Sequence, residues 1–305
     1  MVAMSSTVKE SPAYTSGWRD TAKDLVAGAA GGVAQVIIGQ PFDLIKVRLQ
    51  TQGSTNTNTT ALSLTQKIWK HEGPLSFYKG SLVPLLGVGA CVSIQFGAFH
   101  FFRHHIEQHN HNHQQPGNLT LSQYYLAGSL SGLTNSIISG PIEHIRIRLQ
   151  TQPHGASSPS VLYTGPFDCA RKIISQAGIL RGLYRGQVAT FIREGHGIGV
   201  WFASYEGFLS LAAQKQQMER DELPSWQIAL CGGLAGEMLW LLSHPVDVTK
   251  SKMQSDGFGD QKQKYKGFRE AVRMTWVGEG MAGFFFGIGP ALARAMPVSA
   301  GTFAV

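Results

Sequence analysis

Charged side chains are scarce in this chain of 305 residues, and that scarcity excludes several classes of protein. Asp, Glu, Lys and Arg make up 15% of the sequence, where a soluble domain has roughly 25%. The sequence has no zinc-finger spacing and no basic stripe with interleaved aromatic residues, which argues against nucleic-acid binding. With 43% hydrophobic residues and a net charge of +7, the composition fits a membrane protein beside anionic lipid.

Cysteine clusters, phosphate loops and targeting signals are also lacking. Cys91, Cys169 and Cys231 have neither metal-ligand nor disulfide-framework spacing, so we predict no metal site. The histidine-rich stretch 104–113 is too loosely spaced for a metal and is expected to be a solvated loop. There is no GxxxxGK[ST] loop, so the sequence does not predict ATP hydrolysis. The N-terminal tail has no apolar core for a signal peptide and too little arginine for a cleaved transit peptide.

Long apolar runs are present but uneven. Three contain no charged residue and three contain one to three, and about 20 apolar residues cross a bilayer as a helix. The uncharged runs are 25–42, 81–102 and 121–142, and the interrupted ones are 187–212, 226–246 and 287–305. They predict six membrane helices, although buried helices of a soluble protein would show a similar pattern.

One signature recurs three times, in the form Pro-x-Asp/Glu-x-x-Lys/Arg-x-Lys/Arg-x-Gln. The copies are PFDLIKVRLQ at 41–50, PIEHIRIRLQ at 141–150 and PVDVTKSKMQ at 245–254. Each follows a pair of glycines and precedes a second signature ending in glycine, at 72–80, 177–186 and 279–287. Such a period indicates internal repeats. We divide the chain into a polar tail at 1–20 and repeats at 21–110, 111–216 and 217–305.

Each repeat is predicted to hold two long helices joined by a polar segment. Proline removes a backbone hydrogen bond and bends its helix, and the hinge prolines are Pro41, Pro141 and Pro245. The paired glycines, spaced as GxxxG, let helix backbones approach closely in lipid. Beyond the bends, three-fold symmetry would bring three acids and three bases into one charge ring, unless each charge only caps a helix end at the membrane surface. The charge ring consists of Asp43, Glu143, Asp247, Lys46, Arg146 and Lys250.

These signatures resemble those of the mitochondrial carrier family, and the resemblance covers nearly the whole chain. It implies an all-α membrane protein: a monomer of six tilted transmembrane helices in three pseudo-symmetric repeats, with short surface helices on the matrix side. It also implies solute exchange across the mitochondrial inner membrane, without enzymatic activity or a cofactor, and with both termini toward the intermembrane space. The charge ring would then be the matrix-side gate, braced by Gln50, Gln150 and Gln254.

The surface helices are expected to begin near Gly165 and Gly267, where amphipathic segments start. Helix N-termini bind phosphate through free backbone amides. The resemblance implies that cardiolipin binds there as a structural lipid, between these helices and the starts of the even-numbered ones. The glycines concerned are Gly80, Gly165, Gly186, Gly267 and Gly287.

Ionisable residues inside membrane segments are candidate functional groups. Arg193, Glu194 and Arg294 interrupt the apolar runs at positions that match the family's solute contact points. Gly87 holds the equivalent position in repeat one, and Glu237 is a further candidate. The alternative is an Arg–Glu pair that only locks helices together.

A glutamate can pair with an ammonium group, and an arginine can bind a carboxylate through two hydrogen bonds. The site therefore predicts a small zwitterion as the solute. It is similar to the carnitine/acylcarnitine and ornithine–amino acid branch, including fungal-type amino acid carriers. A dicarboxylate or other organic acid carrier, an uncoupler-like proton leak pathway and a scaffold that has lost its solute stay open as alternatives.

At the other end, family members have a cytosolic gate with the pattern [F/Y][D/E]xx[K/R]. Here His100 stands in the acid position ahead of Arg103, and Glu206 is followed by Leu209 in the basic position. A third copy would lie beyond Val305, so we expect a short sixth helix. With Arg103 and Glu206 as its only pair, this gate is predicted to be weak, and a protonated His100 would add charge.

Overall fold

The structure is a computed structural model that describes residues 18–52, 60–112, 119–152, 163–257 and 263–304. Every regular element in these ranges is a helix. Most of the predicted N-terminal tail lies outside them. In chain order the α-helices are α1 Trp18–Gln52, α2 Ala61–Glu72, α3 Leu82–Asn112, α4 Leu121–Thr151, α5 Pro166–Gly178, α6 Gln187–Gln216, α7 Ser225–Ser255, α8 Phe268–Glu279 and α9 Ile288–Ala304.

Six of these helices are long and form a closed bundle. Five have 30 to 35 residues, and α9 has 17. α4 packs along α3 and α6, α6 packs along α7, and α9 lies against both α7 and α1. The short helices α2, α5 and α8 each contact the C-terminal half of the long helix that precedes them. We call this end of the bundle the ring end and the opposite one the far end.

Within the described ranges, no helix taken singly is long and apolar enough to cross a membrane, and the segments 74–85 and 89–111 qualify only together, across a bend of 49°.

The three signature prolines lie inside continuous helices. α1, α4 and α7 continue past Pro41, Pro141 and Pro245 respectively. The acid and the first base of each signature are three residues apart, so they share one face of their helix. The sequence therefore places both charges of a repeat on the same side of their helix.

The surface helices predicted after Gly165 and Gly267 are confirmed. α5 and α8 begin at the next residue, and each glycine is extended and caps its helix without a side-chain hydrogen bond. The counterpart in repeat one, α2, starts differently. Its cap is Thr60, which exchanges side-chain and backbone hydrogen bonds with Ser63, an arrangement that satisfies two otherwise free backbone donors.

The GxxxG interpretation holds in repeat two and is wrong in repeat three. A Cβ on Gly128 would lie 2.9 Å from the carbonyl oxygen of Ile198, so α4 and α6 approach each other closely there. A Cβ on Gly236 would meet no described heavy atom within 4 Å. Gly232 and Gly236 instead line the central cavity, because this face of α7 turns toward open space rather than toward a helix.

The main apolar core lies in the far half of the bundle. Phe99 of α3 stacks on Phe202 of α6 with ring centroids 3.6 Å apart, and Trp201 stacks on Tyr205. Buried residues of α3, α4, α6 and α7 complete this cluster. α3 continues to Asn112, so the prediction of a loop at 104–113 is wrong over its described part: the helical backbone simply extends through the histidines.

Candidate functional site

The six members of the charge ring meet as three ion pairs. Each pair joins two of the helices α1, α4 and α7, and each base pairs with the acid of the preceding repeat. The pairs are Lys46–Asp247 at 2.6 Å, Arg146–Asp43 at 2.6 Å and Lys250–Glu143. The three bonds close a circle between the helices, which is not the arrangement of charges that only cap their own helix ends.

The three signature glutamines differ in what they contact. Gln50 donates a hydrogen bond to Asp247 over 3.1 Å and so contacts the charge ring. Gln254 donates instead to the hydroxyl of Thr190 over 3.4 Å. The amide of Gln150 has no hydrogen-bond partner among the described residues. Of the three glutamines, Gln50 is therefore the one whose side chain bonds the charge ring within the described residues.

All three glutamines pack on a glycine of the preceding repeat. A Cβ on Gly287, Gly80 or Gly186 would lie 3.3, 3.3 or 3.1 Å from the Cγ of Gln50, Gln150 or Gln254, respectively. These glycines have φ between 77° and 80°, a backbone conformation that costs little only for glycine. Glycine is thus required there both by the turn into the next helix and by the glutamine that covers it.

Gln40 is a ring contact that the sequence analysis missed. Its oxygen accepts a hydrogen bond from Arg146 over 2.7 Å, and its nitrogen donates to the carbonyl oxygen of Lys79 over 2.8 Å. It therefore connects the Arg146–Asp43 pair to the turn before α3. The equivalent positions hold Gly140 and His244, so no repeating pattern marked it.

Trp240 was missed for the same reason. The Nζ of Lys46 lies 3.9 Å from the centroid of its ring, and the guanidinium carbon of Arg193 lies 5.2 Å from it. An aromatic face attracts cations at such distances. The equivalent positions hold Val36 and Ser136. The single tryptophan therefore links one ring pair to a cavity residue, in repeat three alone.

The second base of the signature anchors the surface helices in repeats one and three. Arg48 bonds both carboxylate oxygens of Glu72, at 2.5 and 2.8 Å. Lys252 pairs with Glu279 at 2.6 Å. Both acids end a short surface helix, so these pairs tie α2 to α1 and α8 to α7.

Repeat two lacks that acid, since Ala177 stands in its place. Arg148 donates instead to the carbonyl oxygen of Asp256 over 2.6 Å. Arg185 pairs with the carboxylate of the same aspartate at 2.7 Å. Asp256 thereby joins repeats two and three by a contact that the signatures did not predict.

A cavity of about 350 Å³ lies in the bundle on the far side of the charge ring. A smaller one of about 180 Å³ lies at the ring itself. The two share lining residues, among them Arg193, Trp240 and Arg294. Glu194 and Gly87 also line the larger cavity. Its volume is in the range of small-molecule sites, and four of the five predicted solute contacts therefore meet there.

The two cavity arginines are linked to acids of the ring. Arg193 pairs with the neighbouring Glu194, and its Nε also lies 3.5 Å from Asp247. The Nε of Arg294 lies 3.3 Å from Asp43. Neither Nε makes a hydrogen bond with a described residue. Each arginine thus lines the cavity and also lies beside an acid of the charge ring.

Gly39 makes room for Arg294. A Cβ at this position would lie 2.7 Å from the Nε of the arginine, closer than a carbon and a nitrogen normally approach. The equivalent positions carry Ser139 and Ser243. The glycine of repeat one therefore permits a cavity contact that the other two repeats do not have.

The placement of Glu237 does not support a solute contact. This residue is not among the described residues that line either cavity. It follows the cavity-lining Gly236 on α7, and successive residues of a helix point about 100° apart. Its carboxylate therefore lies on the flank of α7, where it is half-buried.

At the far end, the predicted pair of Arg103 and Glu206 is absent among the described residues. Arg103 pairs with Glu107 on its own helix at 2.7 Å, and Glu206 pairs with Arg220 from the connection between α6 and α7. His100 is exposed. The acids and bases at this end are therefore bonded locally, and Glu107 and Arg220 were missed because they lie outside the expected pattern.

The glycines proposed for lipid binding lie at helix starts on the ring end. Gly80, Gly186 and Gly287 precede α3, α6 and α9, and Gly165 and Gly267 cap α5 and α8. The neighbouring base Lys79 donates to the carbonyl oxygen of Gln152 over 3.4 Å. Burial, together with the nearby charge of Arg48, lowers the pKa of Lys79 to about 8.

Three repeats, with ion pairs between the repeats and a cavity that holds charged side chains beside them, are the features of a class of solute transporter. The family model described as mitochondrial carrier protein matches residues 17–110, 117–216 and 221–305. The chain therefore belongs to the mitochondrial carrier family. The similar members of this family are transporters and not enzymes.

Several curated relatives are similar over most of their length. The protein is 44% identical to the mitochondrial glycine transporter YMC1 of Saccharomyces cerevisiae, over 92% of this chain and 88% of the relative. It is 43% identical to the glutamate/glycine mitochondrial carrier ymc1 of Schizosaccharomyces pombe, over 93% and 92%. It is 38% identical to the mitochondrial basic amino acids transporter of Bos taurus, over 93% and 89%.

Proposed function

We propose that this chain is a carrier of the mitochondrial inner membrane that exchanges a small amino acid by alternating access. Its six long helices would cross the bilayer with both termini toward the intermembrane space, and the charge ring would be the matrix-side gate. One observation carries the proposal: three ion pairs between different helices adjoin a cavity that holds Arg193, Glu194 and Arg294. The described state would then be closed toward the matrix.

The burial of the ring pairs gives the gate its strength. The side chains of Lys46 and Asp247 are each only 7% exposed. Removing one partner of such a buried pair typically costs about 3–5 kcal/mol, so a gate of three pairs opens only when new contacts offset that cost. A solute supplies them only if it binds the open arrangement better than the closed one.

The cavity arginines offer a route for that coupling. A solute carboxylate bound by Arg294 would compete with Asp43 for the same guanidinium, and one bound by Arg193 would compete with Asp247. Either change of partner would break an ion pair that now links α6 or α9 to the charge ring. Solute binding and gate opening would thereby favour each other.

The amino acid class is supported by the charges of the cavity and by the relatives. Glu194 can receive an ammonium group, and the arginines can receive a carboxylate. The similar proteins named above are described as transporters of glycine, of glutamate and glycine, or of basic amino acids. Carnitine carries the same pair of charges and stays an alternative, as does a dicarboxylate.

We also propose a monomer with cardiolipin bound at the helix starts of the ring end. Free backbone amides at the extended caps Gly165 and Gly267 would bind lipid phosphate. The thermal stability of the purified protein should rise when cardiolipin is added to detergent. An equal rise with zwitterionic lipid would contradict a specific phosphate contact.

Counter-exchange in liposomes tests the main proposal. Liposomes containing the protein would be loaded with glycine, glutamate, ornithine, carnitine or malate, and the uptake of each labelled solute measured. We expect uptake of an amino acid only when a partner amino acid is inside. Uptake that is independent of internal solute would instead indicate a leak pathway, and no uptake of any solute would indicate a scaffold.

The variant Arg294→Ala tests the solute site in the same experiment. It removes the cavity base that contacts Asp43, and we expect exchange to fall by at least about tenfold, as for the loss of a charge-assisted hydrogen bond. Gly89→Ala is the matched control, since a Cβ there would meet no described heavy atom within 4 Å. Unchanged uptake by the arginine variant would contradict the site.

A further inference from the structure

The larger cavity has two walls of different character. The wall formed by α6 and α9 carries the charged side chains Arg193, Glu194 and Arg294. The residues that α3 and the part of α4 before Pro141 contribute are neutral. They include Gly87, Cys91, Gln95, Asn135 and Ser139, and successive members on each helix are four residues apart, with Glu143 of the charge ring next in the α4 series. Residues with this spacing lie one above another on one helix face, so a continuous neutral strip runs along the cavity.

Two side chains of this strip are buried without being satisfied. Asn135 is 4% exposed, and its Oδ1 has no hydrogen-bond partner among the described residues. Its Nδ2 reaches Gln95 only at 3.5 Å. Ser139 is 8% exposed, and its hydroxyl is likewise without a described partner. A buried polar atom left unpaired costs free energy, and here both residues line a cavity that can receive a ligand.

The charges around the two cavities do not balance. Five bases and four acids line them, so one positive charge is in excess. The bases are Lys46, Arg146, Arg193, Lys250 and Arg294, and the acids are Asp43, Glu143, Glu194 and Asp247. A solute of net positive charge would add to this excess in a site of low dielectric constant, which is unfavourable. A neutral zwitterion or a monoanion would not.

We propose that the α3–α4 wall is a neutral subsite that receives the solute's side chain through hydrogen bonds to Asn135 and Ser139. The proposal rests on the proposed amino acid exchange. The charged wall would hold the α-carboxylate and the α-ammonium. The neutral wall would offer no free acid to a third, positive group, because Glu143, one turn beyond Ser139, already pairs with Lys250 in the charge ring. The carrier would therefore prefer amino acids with uncharged or acidic side chains to basic ones.

An added acid on this wall tests the proposal. Asn135→Asp is nearly isosteric and supplies the missing negative charge. Labelled glycine, glutamate and ornithine would be compared in counter-exchange, for the unchanged protein and for the variant. We expect the unchanged protein to favour glycine or glutamate, and the variant to raise the ratio of ornithine to glycine uptake by at least about tenfold. Ser139→Asp should act in the same direction if the first variant inserts poorly.

The matched control is Gln123→Glu. It adds one negative charge to the same helix three turns away, where Gln123 accepts a hydrogen bond from the backbone nitrogen of Thr120, a role that glutamate fulfils equally well. The control should keep the preference of the unchanged protein. Ornithine exchange as fast as glycine exchange by the unchanged protein would overturn the inference and leave the proposed function standing. So would an unaltered ratio in both acid variants with glycine exchange retained. Failure of every amino acid to exchange would overturn the proposed function itself.

Discussion

The two ends of the bundle use similar side chains in opposite ways. At the ring end, every acid of the charge ring bonds a base on another long helix, so the bonds bring helices together. At the far end, Arg103 bonds Glu107 one turn along its own helix, and Glu206 bonds Arg220 in the connection to α7. Ion pairs thus connect the long helices at the ring end. At the far end, no ion pair joins two long helices in the described ranges.

The ion pairs of the two ends contribute unequally to the free energy of the closed state. Side chains at the ring are mostly buried, whereas those of Arg103 and Glu107 are 39% and 41% exposed. An exposed pair one turn apart contributes only about 0.3–0.5 kcal/mol. Inter-helix pairs at the ring are therefore expected to dominate the balance between the two states.

Breaking a ring pair should have the largest effect. Lys250→Ala leaves Glu143 without its partner at the ring, and a loss of about 3 kcal/mol corresponds to a more than 100-fold shift in the balance of the two states. We expect strict exchange to be lost. The swapped pair Glu143→Lys with Lys250→Glu restores opposite charges and should recover part of the activity. A swap no better than the single variant would argue against pairing as the role of these residues.

The far end supplies a contrasting variant. Arg103→Ala removes only a half-exposed pair within one helix, so exchange should stay within about threefold of that of the unchanged protein. Lys46→Ala, measured in the same liposomes, should be far more damaging. If Arg103→Ala proved to be the more severe of the two, the assignment of unequal roles to the two ends would be wrong.

Gly39→Ala should have an intermediate effect. The added Cβ would lie 2.7 Å from the Nε of Arg294, so the guanidinium must leave its present position beside the cavity. We expect the half-saturating solute concentration to rise by about fivefold, equivalent to about 1 kcal/mol, while the protein stays folded. Thermal melting with and without solute measures both. A variant with unaltered apparent affinity would show that Arg294 does not contact the solute.

Another comparison separates two glutamines whose sequence positions are equivalent. Gln50 donates to Asp247, whereas the amide of Gln150 has no described partner. A hydrogen bond to a charged group contributes about 1.5–3 kcal/mol at most. Gln50→Ala should therefore change the exchange rate several-fold more than Gln150→Ala. Equal effects would mean that both glutamines act through their packing on glycine.

Features that repeat could be predicted from the sequence, and features that break the repeat could not. Three-fold offsets identified the family, the helix pairs and the charge ring because symmetry imposes the same geometry three times. Trp240, Gln40 and Gly39 each occur in one repeat, so they were missed although they adjoin the predicted residues. Glu72 and Glu279 had a signal, since each stands at the start of its second signature, but the alanine in repeat two obscured it.

Two other expectations from the sequence differ from the structure, each for a local reason. The histidine-rich stretch is polar, yet it continues α3 because nothing in it breaks a helix. Glu237 lies close in sequence to cavity residues, but one step along a helix turns a side chain by about 100° and takes it off the cavity wall. Composition alone does not reveal either outcome.

Accessibility of Cys91 tests the central claim most directly. This thiol lines the cavity, and the other two cysteines can be replaced by serine. In oriented membrane vesicles without solute, a membrane-impermeant maleimide should label Cys91 from the far end and not from the ring end, and Lys250→Ala should admit it from the ring end as well. Labelling of the unchanged protein from the ring end alone would contradict a bundle held closed by its ring of charges.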